Sequence, residues 1–453
     1  MNHRSFMCEI VMALLFVPLV PIGLAAQEQP GDPLPRYAVI DLGTLGGSLS
    51  EGRGINNKGW VTGMAYVAGN SAQHRVIWKN GTTIDLGTLG GPNSGGYGFG
   101  GLNDLGQDVG HAETSSPDPL GEDFCGFGTQ LVCLPFLWQD GVITPLPTLG
   151  GSNGGARAVN NRSQVVGEAE NTTLDSTCGG PELQAEPVIW ENGAIHQFPN
   201  FAGDPDGLAT AINDSGQVVG GSGDCFTGST LSLHALLWQN GTATNLGSFG
   251  GTLYNIALGI NDKGQVTGGS DLPGDTNFFN GPVSTSHAFL WQNGVMTDLG
   301  TLPGDAQSFG LGINNRGQIV GGFISRAYIW QDGVMTDLNT LVPGPPFSPL
   351  YLLAAESIND LGEITGTGLA INGDQHAFLA IPCDAEHAEV EACKFDASSG
   401  ATKGSTEAVP ISATVVSSAN RAPGAAPRWV ARRMGDPRFP AGRLRAPGIW
   451  PEM

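Results

Sequence analysis

Gly259-Ile260-Asn261-Asp262-Lys263-Gly264-Gln265-Val266 is one of seven versions of a single phrase: an apolar residue, Asn, then Asn or Asp, any residue, and Gly. The leading Asn stands at Asn56, Asn103, Asn160, Asn213, Asn261, Asn314 and Asn359, which define copies one to seven; copy three has Ser163 where the others have Gly. The copies recur about every 50 residues, the length of one propeller blade. An array with that period is one repeat domain, each unit too small to bury its own apolar face.

Copy five shows how a unit is built. Leu258-Gly259-Ile260 runs into a turn at Asn261 to Gly264, where Asn bonds its own backbone and Gly takes the left-handed position. Gln265 to Gly268 makes a second strand, His287-Ala288-Phe289-Leu290-Trp291 a third, and Asn293-Gly294 turns it into a fourth, Val295 to Leu299. Asn-Gly or Asp-Gly between apolar runs is the strongest short hairpin signal, because both central residues of a type I′ turn need positive φ. The dipeptide recurs at Asn80, Asp140, Asn192, Asn240, Asn293 and Asp332, each followed by Gly. The fold class is therefore all-β, a seven-bladed β-propeller of four-stranded antiparallel blades.

The two ends of the array predict how it closes. Copy seven has Ala380 where Trp78, Trp138, Trp190, Trp238, Trp291 and Trp330 stand in the others, and it lacks the Asn-Gly turn and fourth strand. Tyr37-Ala38-Val39-Ile40-Asp41-Leu42 matches the fourth-strand pattern of Thr83-Ile84-Asp85-Leu86 and Met335-Thr336-Asp337-Leu338. The N-terminal strand is thus expected to complete the last blade and leave no open edge. First strands are poor in bulk, as in Gly100-Gly101-Leu102 of copy two and Gly310-Leu311-Gly312-Ile313 of copy six, which suits crowding about an axis.

Ile10 to Leu24 is an apolar run behind His3 and Arg4 that ends in Leu24-Ala25-Ala26, and it reads as an export signal. The domain plan is a signal peptide at 1–26, a linker at 27–36, the propeller at 37–383 and a low-complexity tail at 384–453 whose later part is rich in Arg. Outside the signal no segment is long and apolar enough to span a membrane. Export gives a secreted, periplasmic or cell-envelope protein, so Cys125, Cys133, Cys178, Cys225, Cys383 and Cys393 read as disulfides. Six cysteines allow 15 connectivities; local spacing favours Cys125 with Cys133 and Cys383 with Cys393, leaving Cys178 and Cys225 to bridge neighbouring loops. A net charge of −22 repels phosphate backbones and makes nucleic acid a poor partner for the propeller.

His287-Ala288-Phe289 and His376-Ala377-Phe378, together with Asp41 to Gly47 and Asp85 to Gly91, both reading Asp-Leu-Gly-Thr-Leu-Gly-Gly, resemble the repeats of the extracellular HAF family. The resemblance spans residues 37 to about 382 and implies a secreted, mostly bacterial repeat protein without an established activity. Departures are His74-Arg75-Val76, Pro135-Phe136-Leu137, His234-Ala235-Leu236 and Arg326-Ala327-Tyr328, and Pro145-Leu146 in place of Asp-Leu. The strand order also resembles kelch blades, with Val218-Val219-Gly220-Gly221 at their double Gly.

What repeats is architecture, so the recurrent His, Asp and Trp are expected to be structural, and function is sought where the repeat breaks down. The loops between second and third strands are long and dissimilar, and they gather on one face. Phe124, Phe127, Phe226, Phe278 and Phe279 on these loops are the candidate ligand-binding residues, for stacking on sugars or filling partner pockets. His111 stands alone among the histidines, with Asp108 as a possible partner for a general base. No catalytic motif, zinc signature or phosphate loop is present. No cofactor is expected; calcium at Asp204-Pro205-Asp206-Gly207, or at Asp271 with Asp275 and Asn277, is a secondary reading, since both stretches resemble turns. The sequence favours a monomeric, non-catalytic propeller binding an extracellular glycan or protein, with an extracellular lyase or hydrolase sited at the axial opening as the alternative.

Overall fold

The computed structural model describes residues 33–390, apart from residues 99, 179, 226–232, 252–253, 275–284, 323–325, 343–347 and 389, together with Cys393. Among these residues the chain is built from antiparallel β-sheet. In copy three, Gly154–Val159 pairs with Val165–Leu174, that strand with Leu183–Glu191, and that with Ala194–Gln197. Copies two to six each form such a four-stranded sheet, in chain order. Copies one and seven share an eight-stranded sheet. It consists of two four-stranded sets joined by one parallel bridge, Leu49 to Gln375.

The expected partner of the N-terminal strand is found: Tyr37–Gly43 pairs antiparallel with Gln375–Pro382 of copy seven, from Tyr37 opposite Pro382 to Gly43 opposite Ala377. His376 Nδ1 meets Asp41 Oδ2 at 2.9 Å, and Cys383 N donates to Arg36 O at 2.7 Å. Each Asn-Gly or Asp-Gly hairpin has both residues at positive φ, for example Asn293 at 53° and Gly294 at 83°. Ser163 takes φ 61° where the other copies use Gly.

The recurrent Asn does more than form a turn. In copy one its Oδ1 accepts from Lys58 N and Trp60 N, closing the turn. Its Nδ2 donates to Asn103 O, the backbone carbonyl of the same residue in copy two, at 2.9 Å. Asn103, Asn160, Asn213, Asn261 and Asn314 each donate likewise to the next Asn carbonyl at 2.9–3.0 Å, and Asn359 donates to Asn56 O at 3.0 Å. The amide offers on separate atoms both the donor and the acceptor this position needs. These Asn residues are buried, so each bond lies away from solvent competition.

Apolar clusters lie between neighbouring copies. Val109 of copy two packs with Val159, Val188 and Trp190 of copy three, and Ala377 of copy seven packs with Ile55, Val61 and Trp78 of copy one. A buried Trp such as Trp238 contributes on the order of 2–3 kcal/mol by area. Copy two departs from the expected plan at Gly100-Gly101-Leu102, read as its first strand. Its pairing runs instead through Gly90–Gly95, and residues 100 and 102 make only isolated bridges. The Arg75 guanidinium lies against Gly101, in the space that a side chain there would fill. Replacing Asn213 by Asp exchanges a donor for a carboxylate facing the Asn261 carbonyl; denaturant unfolding should show a loss of at least about 2 kcal/mol, larger than for Asn213→Ala.

Candidate functional site

The repeated polar residues are consumed by the fold. His74 bonds Asp85, His287 bonds Asp298 and His376 bonds Asp41, each across the third and fourth strands of one set. The same carboxylates cap turns, as Asp85 does by accepting from Gly87 N. His234 faces Asn245 where the others have Asp, and it takes Asp204 instead, at 2.9 Å.

A second set of positions varies from copy to copy. Three residues before each Asn the first strand carries a β-bulge in six copies, and the residues lifted out of register are Arg53, Arg157, Thr210, Leu258, Leu311 and Glu356. A bulge re-aims a side chain without disturbing the ladder on either side. Eight residues after the Asn stand Met64, His111, Glu168, Gly221, Gly269, Gly322 and Thr367, each opposite the residue matching Ala of the His-Ala-Phe phrase. At both positions the charged and imidazole side chains belong to copies seven, one, two and three, whereas copies four to six offer Gly, Leu and Thr.

These residues form buried ion pairs. Arg53 Nη2 meets Glu51 at 2.6 Å and its Nε meets Glu356 of copy seven at 3.2 Å. Arg157 holds Glu168 through Nε and Nη2 at 2.5 and 3.0 Å. Arg75 stands in the Ala slot of copy one and reaches Asp108 of copy two at 2.8 Å. Asp108 faces Trp138 where copies one and three to six place Val or Ile opposite the equivalent Trp, so two departures from the repeat compensate each other. The sequence-level pairing of Asp108 with His111 is thus not what the structure brings together: Asp108 is taken by Arg75, and His111 points elsewhere.

His111 stacks on Tyr97 with ring centroids 4.5 Å apart, and Phe127 lies against it at 5.6 Å. The imidazole is buried and its Nε2 has no hydrogen-bond partner. Burial, then the guanidinium charges of Arg157, Arg75 and Arg53, push its pKa well below the usual histidine range and hold it neutral. Tyr97 and Phe127 are only partly buried, so this cluster reaches solvent.

Phe127 comes from the loop between the second and third strands of copy two. Tyr97 Oη donates to Cys125 O at 2.7 Å, and Cys125 is disulfide-bonded to Cys133. Phe124 is a plug: it is buried against Cys125, Cys133 and Ala185 and offers no ligand surface. Phe226, Phe278 and Phe279 lie outside the described residues. Cys178–Cys225 joins the corresponding loops of copies three and four, and Cys383–Cys393 is the third disulfide. Asp204 and Asp206 are occupied by Ser222, His234 and Ala185 N, and Asp271 by Tyr254 N and Ser286; Asp275 and Asn277 lie outside the described residues.

At the Asn turns a cavity of about 210 Å³ is lined by the Asn residues and their followers Asn57, Asp104, Asn161, Asp214, Asp262, Asn315 and Asp360. Each follower's Oδ1 accepts from the backbone N–H of the preceding copy, as Asp104 does from Asn57 N and Asp360 from Asn315 N. This mouth is a structural belt.

In-order four-stranded antiparallel sheets that share apolar clusters with their neighbours define a β-propeller. No family model matches the chain, and no curated protein matches it. Among solved structures it is similar to the β-propeller domain of the Trilobed protease from Pyrococcus furiosus, at 9% identity and TM-score 0.38, over 76% of this chain and 95% of that one. It is similar to the extracellular domain of a one-component system from B. thetaiotaomicron, at 11% identity and TM-score 0.42, over 76% of this chain and 39% of that one. It is also similar to a polysaccharide lyase, an ulvan lyase, at 8% identity and TM-score 0.38, over 77% of this chain and 94% of that one. Three disulfides are those of a chain that folds in an oxidising compartment. Among the described residues no helix is long and apolar enough to cross a membrane.

Two measurements test this geometry. Arg75→Ala strands a buried carboxylate and should cost about 3–5 kcal/mol, while Arg75→Ala with Asp108→Val restores the repeat and should regain most of it in equilibrium unfolding. In the copy-two loop, Glu122 meets Glu170, Asp118 and Asn153; burial first, then its hydrogen bond to Glu170 and the neighbouring negative charges, push its pKa up to about 10. The folded state therefore holds a proton that the unfolded chain releases near pH 4, so this contribution is complete below that pH and is lost as pH rises toward about 10. Melting temperature should fall with pH across that window, and less steeply in Glu122→Gln.

Proposed function

We propose that this chain is an exported propeller of the extracellular HAF-repeat kind, with residues 1–26 as its signal, that binds an extracellular glycan or protein on the face carrying its long loops. It has seven blades, the last completed by Tyr37–Gly43, and works as a monomer. Support for the closed ring comes from the cyclic series of Asn bonds in which Asn359 returns to Asn56. The observation that carries the binding reading is the confinement of unrepeated side chains to four neighbouring copies, beneath a disulfide-anchored loop that lays Phe127 over His111. A ring needs no such asymmetry for stability, and buried charge pairs cost desolvation that apolar residues would avoid.

The alternative is an extracellular enzyme of the lyase or hydrolase kind. One observation favours it: a neutral, partner-free imidazole nitrogen beside a tyrosine is suited to proton transfer. Neither reading calls on a cofactor.

A glycan array probed with the secreted, fluorescently labelled protein tests the reading. Saturable binding that survives EDTA and is weakened by Phe127→Ala is expected; silence across the array, together with no captured protein from the cell surface, would sink it. Shortening of a bound glycan on prolonged incubation, lost in His111→Ala, would select the enzyme.

A further inference from the structure

Four side chains of metal-ligating type meet where copies three and four touch, away from both the turn belt and the His111 cluster. Asp175 and Cys178 follow the second strand of copy three, Val165–Leu174. Asp206 opens the first strand of copy four, Asp206–Ile212, and Cys225 follows its second, Val218–Gly223. One carboxylate oxygen from each Asp and both Sγ atoms lie within 4.8 Å of one another. Asp175, Asp206 and Cys225 are buried and Cys178 is half-buried, so the group is shielded yet reachable from solvent at one corner.

In the oxidised chain the two sulfurs are bonded to each other. That bond does not account for the carboxylates around it. Asp175 Oδ2 stands 3.2 Å from Cys178 Sγ, a sulfur that has no proton to donate while it is in a disulfide. Glu182 Oε2 adds a third carboxylate 3.8 Å from Cys225 Sγ. A buried carboxylate loses hydration, and contact with a disulfide sulfur does not replace it. A cation among these groups would.

Hydrogen bonds hold the carboxylates in place independently of the disulfide. Thr177 donates to Asp175 Oδ1 through its N at 2.8 Å and its Oγ1 at 2.7 Å, and the same Oγ1 accepts from Cys225 N at 3.0 Å. Asp206 Oδ1 accepts from Ala185 N at 2.8 Å. Both sets cross between copies three and four, and they resemble the outer-shell bonds that orient metal ligands.

We infer that, once the Cys178–Cys225 bond is reduced, Asp175, Cys178, Asp206 and Cys225 bind one Zn2+ ion, so that disulfide and metal are alternative links between copies three and four. A dithiol reductant supplies two electrons and two protons: its own sulfurs join, and Cys178 and Cys225 become thiols. Zinc then displaces both protons to solvent and is held by two thiolates and two carboxylates. Tetrahedral zinc with bonds of about 2.0–2.3 Å sets its ligands about 3.3–3.8 Å apart, within the 4.8 Å spread of these atoms. The sulfurs have to part to reach that spacing, and both cysteines lie outside the strands. Zinc accepts sulfur and oxygen together, whereas calcium and magnesium take oxygen ligands. Thiolates alone would be repelled by the carboxylates, and the ion removes that repulsion.

The test uses the full chain, oxidised or reduced with a phosphine under argon, titrated with Zn2+ against a chromophoric chelator and with Co2+ as a spectroscopic probe. Reduced wild type should bind one ion per chain, and its cobalt form should show thiolate charge transfer and the strong visible bands of a tetrahedral ion. The oxidised chain should show neither. Asp175→Asn and Asp206→Asn should each weaken zinc binding by at least about tenfold, the least that outer-shell partners of zinc ligands are worth. Reduction opens the other disulfides too, so Cys125→Ser with Cys133→Ser is the control and should leave binding unchanged. Near-ultraviolet circular dichroism reports folding; where reduction unfolds the chain, zinc should restore the folded spectrum in wild type and not in Asp206→Asn. Equal binding by the Asp variants, equal binding by the oxidised chain, or neither binding nor zinc-dependent refolding of reduced wild type would each overturn the inference.

Discussion

The amide of one asparagine, repeated in every copy, organises the molecule. Its oxygen closes a turn within its own sheet and its nitrogen reaches the backbone of the next, so one side chain fixes local shape and the angle between neighbours. Each such bond is modest, since hydrogen bonds in proteins contribute about 1 kcal/mol net. Their arrangement matters more: the series runs from copy to copy and returns to its start, so loosening one link strains the others. The apolar clusters between sheets supply the larger energy, but they are tolerant of angle in a way that a buried amide is not.

Against that regularity the charged side of the interior stands out. Buried ion pairs seldom improve stability over well-packed apolar residues. Here they come as matched departures: Arg75 in an Ala slot meets Asp108 in a Val slot, and a bulged Arg157 meets Glu168 at a position that is Gly in three other copies. Copies four to six have the simpler solution available and use it. The two groups of copies are thus built to different standards, and the more elaborate group carries the loop with Phe127.

Much of the fold was legible because the signals are local. Asn-Gly pairs demand positive φ, and they have it. The N-terminal strand is recognisable as a fourth strand in search of a sheet, and the disulfides are the two local pairs that spacing favours and the one pair left over. The site was less legible. The variable position of the first strand falls at a β-bulge, where the period-two pattern slips, and only the pairing register lines Arg53 up with Arg157 and Glu356. His111 was singled out correctly as odd, but with the wrong neighbour, because Asp108 and His111 are three residues apart on one strand and so face opposite sides. Phe124 and Phe127 look alike in sequence; the disulfide between them and the sheet turns one inward and leaves the other at the rim.

The pairing of Tyr37–Gly43 with Gln375–Pro382 sets an order of events for a chain that is made N-terminus first. The strand that emerges earliest is the one whose partner emerges last, more than 300 residues later. Until then it must stay extended and unpaired while the sheets behind it assemble. The short, charge-poor segment 37–43 is consequently open to misassociation while the chain folds, and its docking is the natural end point of that process.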